Sequence, residues 1–103
     1  MIIFVSHNGV PVRMSAERWS HIVCRHPELD GQQKKLVETL SEPGYIQKGD
    51  FGTMMAIRHY PQTPLTEKYM IVIYKEVSPF DGYVLTAYFA TRYSKRRTML
   101  WKR

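Results

Sequence analysis

Cysteine is almost missing from this chain. Cys24 is the only one in 103 residues. That excludes an intrachain disulfide framework and a zinc site built on several cysteines. Long apolar runs are missing too, since nothing approaches the roughly 18–20 residues that a membrane-crossing helix needs. The run Met1-Ile2-Ile3-Phe4-Val5 has no basic segment before it, so no secretory signal is expected. There is no phosphate-cradling glycine loop, because Gly49 and Gly52 lack a strand-to-helix setting. His7, His21, His26 and His59 show neither metal-ligand spacing nor a carboxylate cluster beside them. No metal and no other cofactor are expected. Acidic side chains are scarce, with 9 Asp and Glu against 15 Lys and Arg. These absences predict a cytoplasmic protein with no membrane partner.

The residues that are present suit one globular domain over 1–103. Hydrophobic residues make up 44% and aromatics 13%. A chain of this length buries roughly 60–65% of its unfolded surface, enough for one core. The net charge of +6 favours polyanionic partners, because binding releases condensed counterions. Residues 92–103 form a basic C-terminal tail with six of the fifteen basic residues and no acid. Tyr93 and Trp101 interleave with them, as tracking phosphates and stacking bases would require. The plain alternative is a solvated basic tail.

Local patterns give the elements. Residues 2–6 read as a strand, Asn8-Gly9 as a two-residue hairpin turn, and residues 10–14 as the return strand. Pro11 has no ladder donor, so that strand belongs at an edge or is short. Ser15 caps a first helix, with Trp19, Ile22, Val23 and His26 as its core stripe. Arg18, His21 and Arg25 form a second stripe. Pro27 ends the helix near Arg25. Asp30 caps a second helix over about 31–41, ended by Pro43-Gly44. Residues 53–60, 69–74 and 83–91 read as strands, separated by a rigid Pro61-Gln62-Thr63-Pro64 loop and a turn at 79–82. The expected architecture is α+β. An N-terminal hairpin and two helices pack on one face of an antiparallel sheet of about four strands.

One stretch concentrates reactive side chains: Trp19-Ser20-His21-Ile22-Val23-Cys24-Arg25-His26-Pro27-Glu28. Its Arg25-His26-Pro27-Glu28 end is followed by Thr39-Leu40-Ser41-Glu42-Pro43, an apolar strand, and Thr86-Ala87-Tyr88. In that order and spacing, the chain from 15 to 101 resembles the phage-associated branch of the barnase–colicin–RelE-like (BECR-fold) nucleases. That family's small domains carry N-terminal helices on an antiparallel sheet. Many are metal-independent endoribonucleases, often toxins of bacteria or their phages. The resemblance implies functional positions at His21, Arg25, His26, Thr86 and Tyr88, with RNA as substrate. An acidic antitoxin or immunity protein would be a second partner.

The residue chemistry is compatible with that. Cleaving RNA without a metal needs a base for the 2′-hydroxyl proton, a cation for the phosphorane and an acid for the leaving 5′-oxygen. His21 lies one turn before Arg25, and its imidazole can serve as base or acid. His26 sits at a helix C-terminus. Arg25 offers a planar fork for phosphate oxygens; its plain reading is an ion pair to Glu28 or Glu42. Thr86 and Tyr88 share a strand face, as strand residues ordinarily do. Arg58, Arg92 and Lys95 are candidates for flanking phosphates. Cys24 reads as a small buried hydrophobe rather than a nucleophile. The expected activity is metal-independent endonucleolytic cleavage to a 2′,3′-cyclic phosphate. The alternatives are a non-catalytic RNA-binding or regulatory module, or a partner-binding protein, on the same fold.

Overall fold

The computed structural model describes residues 1–63 and 69–103. Pro64 of the expected rigid loop lies outside the described residues. The chain runs β1 (Ile2–Val5), β2 (Pro11–Met14), α1 (Ala16–Arg25), a 3-10 turn (Pro27–Leu29) and α2 (Gln33–Ser41). It continues through β3 (Tyr45–Lys48), β4 (Met54–His59), β5 (Tyr69–Ser78), β6 (Asp81–Ala90) and β7 (Met99–Lys102).

The strands form one seven-stranded sheet in the order β1-β2-β6-β5-β4-β3-β7. This overturns the expected α+β fold with an antiparallel sheet of about four strands. The sheet is mixed, because β2 runs parallel to β6. The N-terminal hairpin is not a separate layer but the sheet's first two strands. Two further strands were hidden at the other edge. β3 pairs antiparallel with β4, and β7 pairs antiparallel with β3 through Ile46↔Trp101. The basic C-terminal segment is therefore in part an edge strand. Four-residue strands are short for periodicity to detect, and their partners lie far away in sequence.

Several local expectations change with it. Only Gly9, not Asn8, takes a positive φ (81°) in the β1–β2 loop. The Ser6 and Val10 backbones close a three-residue loop instead of a two-residue turn. Pro11 opens a strand that is inner but short, so its missing donor costs little. Asp30 does not cap α2; Gln32 precedes the helix without a side-chain cap, and Gly31 turns the chain at φ 76°. Cys24 is exposed, since it sits on α1 away from Ile22, the helix's one fully buried residue.

The two sheet faces are unequal. On one, Val72, Tyr74, Val84 and Ala87 pack against Ile22 of α1, Leu29 of the 3-10 turn, and Leu36 and Leu40 of α2. The other face carries no helix among the described residues. There Met55, Ile57 and Ile71 are covered by half-buried tyrosines, among them Tyr45, Tyr69, Tyr88 and Tyr93. β5 is buried on both sides, which is why its sequence is almost continuously apolar.

Gly82 marks the junction of β2 and β6. A Cβ there would lie 2.6 Å from the Lys75 carbonyl oxygen and 3.5 Å from that of Pro11. Backbone cannot step aside as a side chain can. Gly82→Ala is expected to cost about 1–3 kcal/mol. In a thermal melt that is roughly 4–8 °C per kcal/mol, and an unchanged melting temperature would contradict this packing.

Candidate active site

β2 pairs with β6 only at Val12↔Gly82 and Arg13↔Tyr83. Past Tyr83 the outer edge of β6 has no strand neighbour among the described residues. α1 and the 3-10 turn run beside that edge instead. Between them lies a cleft of about 410 Å³, lined by Arg18, His21, Arg25 and His26 from the helix side and by Leu85, Thr86 and Tyr88 from β6. A short parallel pairing followed by a helix thus opens the space.

The helix wall follows from local rules. Ser15 accepts a hydrogen bond from the Arg18 amide at 3.0 Å and fixes the start of α1. With Ile22 buried, Arg18, His21 and Arg25 at i, i+3 and i+7 share a different face. His26 caps the helix C-terminus with φ −132° and ψ 76°, as a residue before proline must leave the α region.

The strand wall depends on an irregularity. Pairing between β5 and β6 shifts between Ile73 and Tyr74: Ile73 faces Thr86, whereas Tyr74 faces Val84. Leu85 is the extra residue of a bulge. Strict alternation would have grouped Leu85 with Ala87 and Phe89. The bulge instead puts Val84 with Ala87 and Phe89 in the helix-side core. The Leu85 carbonyl at this edge accepts a hydrogen bond from Arg18 Nη1 at 3.3 Å. An unpaired edge carbonyl and a cleft-lining guanidinium satisfy one another.

The remaining contacts define what each group can do. His26 Nδ1 lies 3.7 Å from Glu28 Oε1, and its ring centroid is 5.8 Å from that of Tyr88. Burial pushes the Tyr88 phenol up from its ordinary range, with Arg97 opposing. At neutral pH that hydroxyl keeps its proton and serves as a donor. Arg25 does not pair with Glu28 or Glu42, because Glu28 engages His26 and Glu42 lies 4.0 Å from Arg58. Among the described residues, neither Arg18 nor Arg25 is matched to a carboxylate. No carboxylate among the described residues lines the cleft.

The fold therefore brings His21, Arg25, His26, Thr86 and Tyr88 together. It does not bring the flanking candidates. Arg58 is held between β4 and α2 by Glu38 at 3.5 Å and by the Glu42 carbonyl. Lys95 sits 4.0 Å over the Tyr93 ring, and Arg92 is exposed outside the cleft. Comparison with protein families, curated proteins and solved structures found no match.

Arg18 is the cleft residue that sequence reasoning did not assign. Its signal was present, since it begins the stripe that His21 and Arg25 continue. Among the described residues, no group of three or more His, Cys, Asp or Glu side chains is placed to hold a metal. No described helix is long and apolar enough to cross a membrane.

Proposed function

We propose that the α1–β6 cleft binds an RNA phosphodiester and cleaves it without a metal, as the resemblance to the phage-associated BECR-like nucleases implies. The observation that carries this reading is one cleft holding two imidazoles, two hydroxyls and two guanidiniums that have no carboxylate partner among the described residues. Arg18 and Arg25 supply the positive field for a phosphate and, in the transition state, for the phosphorane. Tyr88, proton-bearing, and Thr86 donate hydrogen bonds to its non-bridging oxygens. Of His21 and His26, one takes the 2′-hydroxyl proton. The freed oxygen attacks phosphorus, the bond to the 5′-oxygen breaks, and the other imidazolium protonates that leaving oxygen. The products are a 2′,3′-cyclic phosphate and a 5′-hydroxyl.

DNA lacks the attacking hydroxyl, which gives the test. Purified protein is incubated in EDTA with total RNA, including tRNA and mRNA, and in parallel with DNA. RNA is expected to be cut to fragments ending in cyclic phosphate while DNA stays intact. RNA that stays whole at every protein ratio, or DNA cut equally well, overturns the reading.

A further inference from the structure

The geometry points to a second subsite on the helix-free face of the sheet, where an unpaired nucleobase stacks next to the phosphate held in the α1–β6 cleft, so that the substrate is single-stranded RNA. This rests on the proposed cleavage reading for the phosphate alone. The base site itself stands on separate observations.

A cavity of about 470 Å³ lies on that face, with Met55 and Ile73 among its apolar lining and Tyr83, Leu85 and Tyr88 from β6. Leu85 and Tyr88 also line the α1–β6 cleft. The two cavities thus share a wall, and a strand of nucleic acid crosses from one to the other at the β6 bulge. The lining includes two cations, Lys75 and Arg97, and one carboxylate, Asp50. Arg97 clasps that carboxylate at 3.1 and 3.2 Å. The acid is neutralised, and Lys75 carries no ion pair among the described residues. An apolar slot walled by tyrosines with a free cation beside it suits a base and its phosphate.

Phe51 is the second observation. It lines the same cavity from the β3–β4 turn. Its backbone is left-handed, with φ 57°, and it is the one non-glycine residue with positive φ among those described. Bulky side chains rarely adopt that conformation and are strained in it. The residue is also 96% exposed. Neither backbone preference nor burial accounts for an aromatic here. An exposed ring at the rim of this slot gains a partner when a base enters. Bases in a duplex are stacked on one another and cannot enter, which selects single strands.

The experiment measures binding of a fluorescent 2′-O-methyl RNA octamer, which has no 2′-hydroxyl and cannot be cleaved by that route. Phe51→Asn removes the ring and places at φ 57° a residue that tolerates it. The variant is expected to melt at the same temperature as the wild type or higher, yet to bind about five- to 150-fold more weakly, as loss of one stacked base does. The same octamer annealed to its complement is expected to compete poorly. Unchanged affinity in Phe51→Asn, equal competition by the duplex, or no binding by the wild-type protein overturns the proposal. Because the probe is uncleavable, these outcomes do not depend on catalysis. The total-RNA digestion judges cleavage independently.

Discussion

Replacing His21 and His26 together by alanine is expected to abolish RNA cleavage, with a loss of about 10²–10⁴-fold for each proton-transfer step removed. Among the described residues lining the cleft, the two imidazoles are the side chains whose chemistry suits both giving and taking a proton. Tyr88 cannot replace them as base, because burial keeps its proton on. The arginines stay protonated. Stability should barely change. His21 is exposed, and His26, at a helix end, loses a 3.7 Å contact to Glu28 and a ring contact with Tyr88 at 5.8 Å. The loss belongs in kcat more than in KM, since Arg18 and Arg25 remain to hold the phosphate. A variant that folds normally and still cuts RNA at the wild-type rate would remove the cleft from the chemistry. The RNA-binding alternative predicts no effect of the double substitution.

The helix wall of this cleft was legible from local sequence, and the fold around it was not. Ser15, Pro27 and the spacing of Arg18, His21 and Arg25 act within a turn or two of helix, where side chain and backbone are covalently close. Those rules set the limits of α1 and its two faces. The partner of β2 is a different matter. Residues 11–14 could pair on either side with any exposed strand, and nothing in Pro11-Val12-Arg13-Met14 specifies a parallel neighbour some 70 positions later. What settles it is the edge that Gly82 and Tyr83 offer, which exists only once β6 has paired with β5. The same holds for β7. Met99-Leu100-Trp101-Lys102 reads as a basic tail until Ile46 and Gln47 supply an edge. The bulge at Leu85 was equally hidden, because a strand's pattern of alternation gives no sign of where its partner skips a residue. Grouping Thr86 with Tyr88 did not depend on it, since both lie on the same side of the skip. The helix-free aromatic face could not be inferred while the strand order was unknown.

Ile22→Ala is expected to be the most damaging single change to the helix wall, at about 2–5 kcal/mol. α1 buries one residue completely, Ile22 at 0% exposure, with Trp19 packed partly against the same cluster. Removing three carbons there leaves a cavity that a helix supported on one side cannot collapse to fill. Thermal unfolding should shift down by roughly 4–8 °C for each kcal/mol. Leu40→Ala is the informative comparison. Leu40 is also fully buried, but on α2, which contributes nothing to the cleft. The two variants should lose similar global stability and differ in function. With α1 loosened, Arg18, His21 and Arg25 move away from β6 together by local opening below the global transition. Cleavage per folded molecule should therefore fall in Ile22→Ala and persist in Leu40→Ala, measured well below both melting temperatures. Equal losses in the two would mean that the cleft opens only when the whole sheet does. A wild-type melting temperature in Ile22→Ala would contradict the packing that places the wall at all.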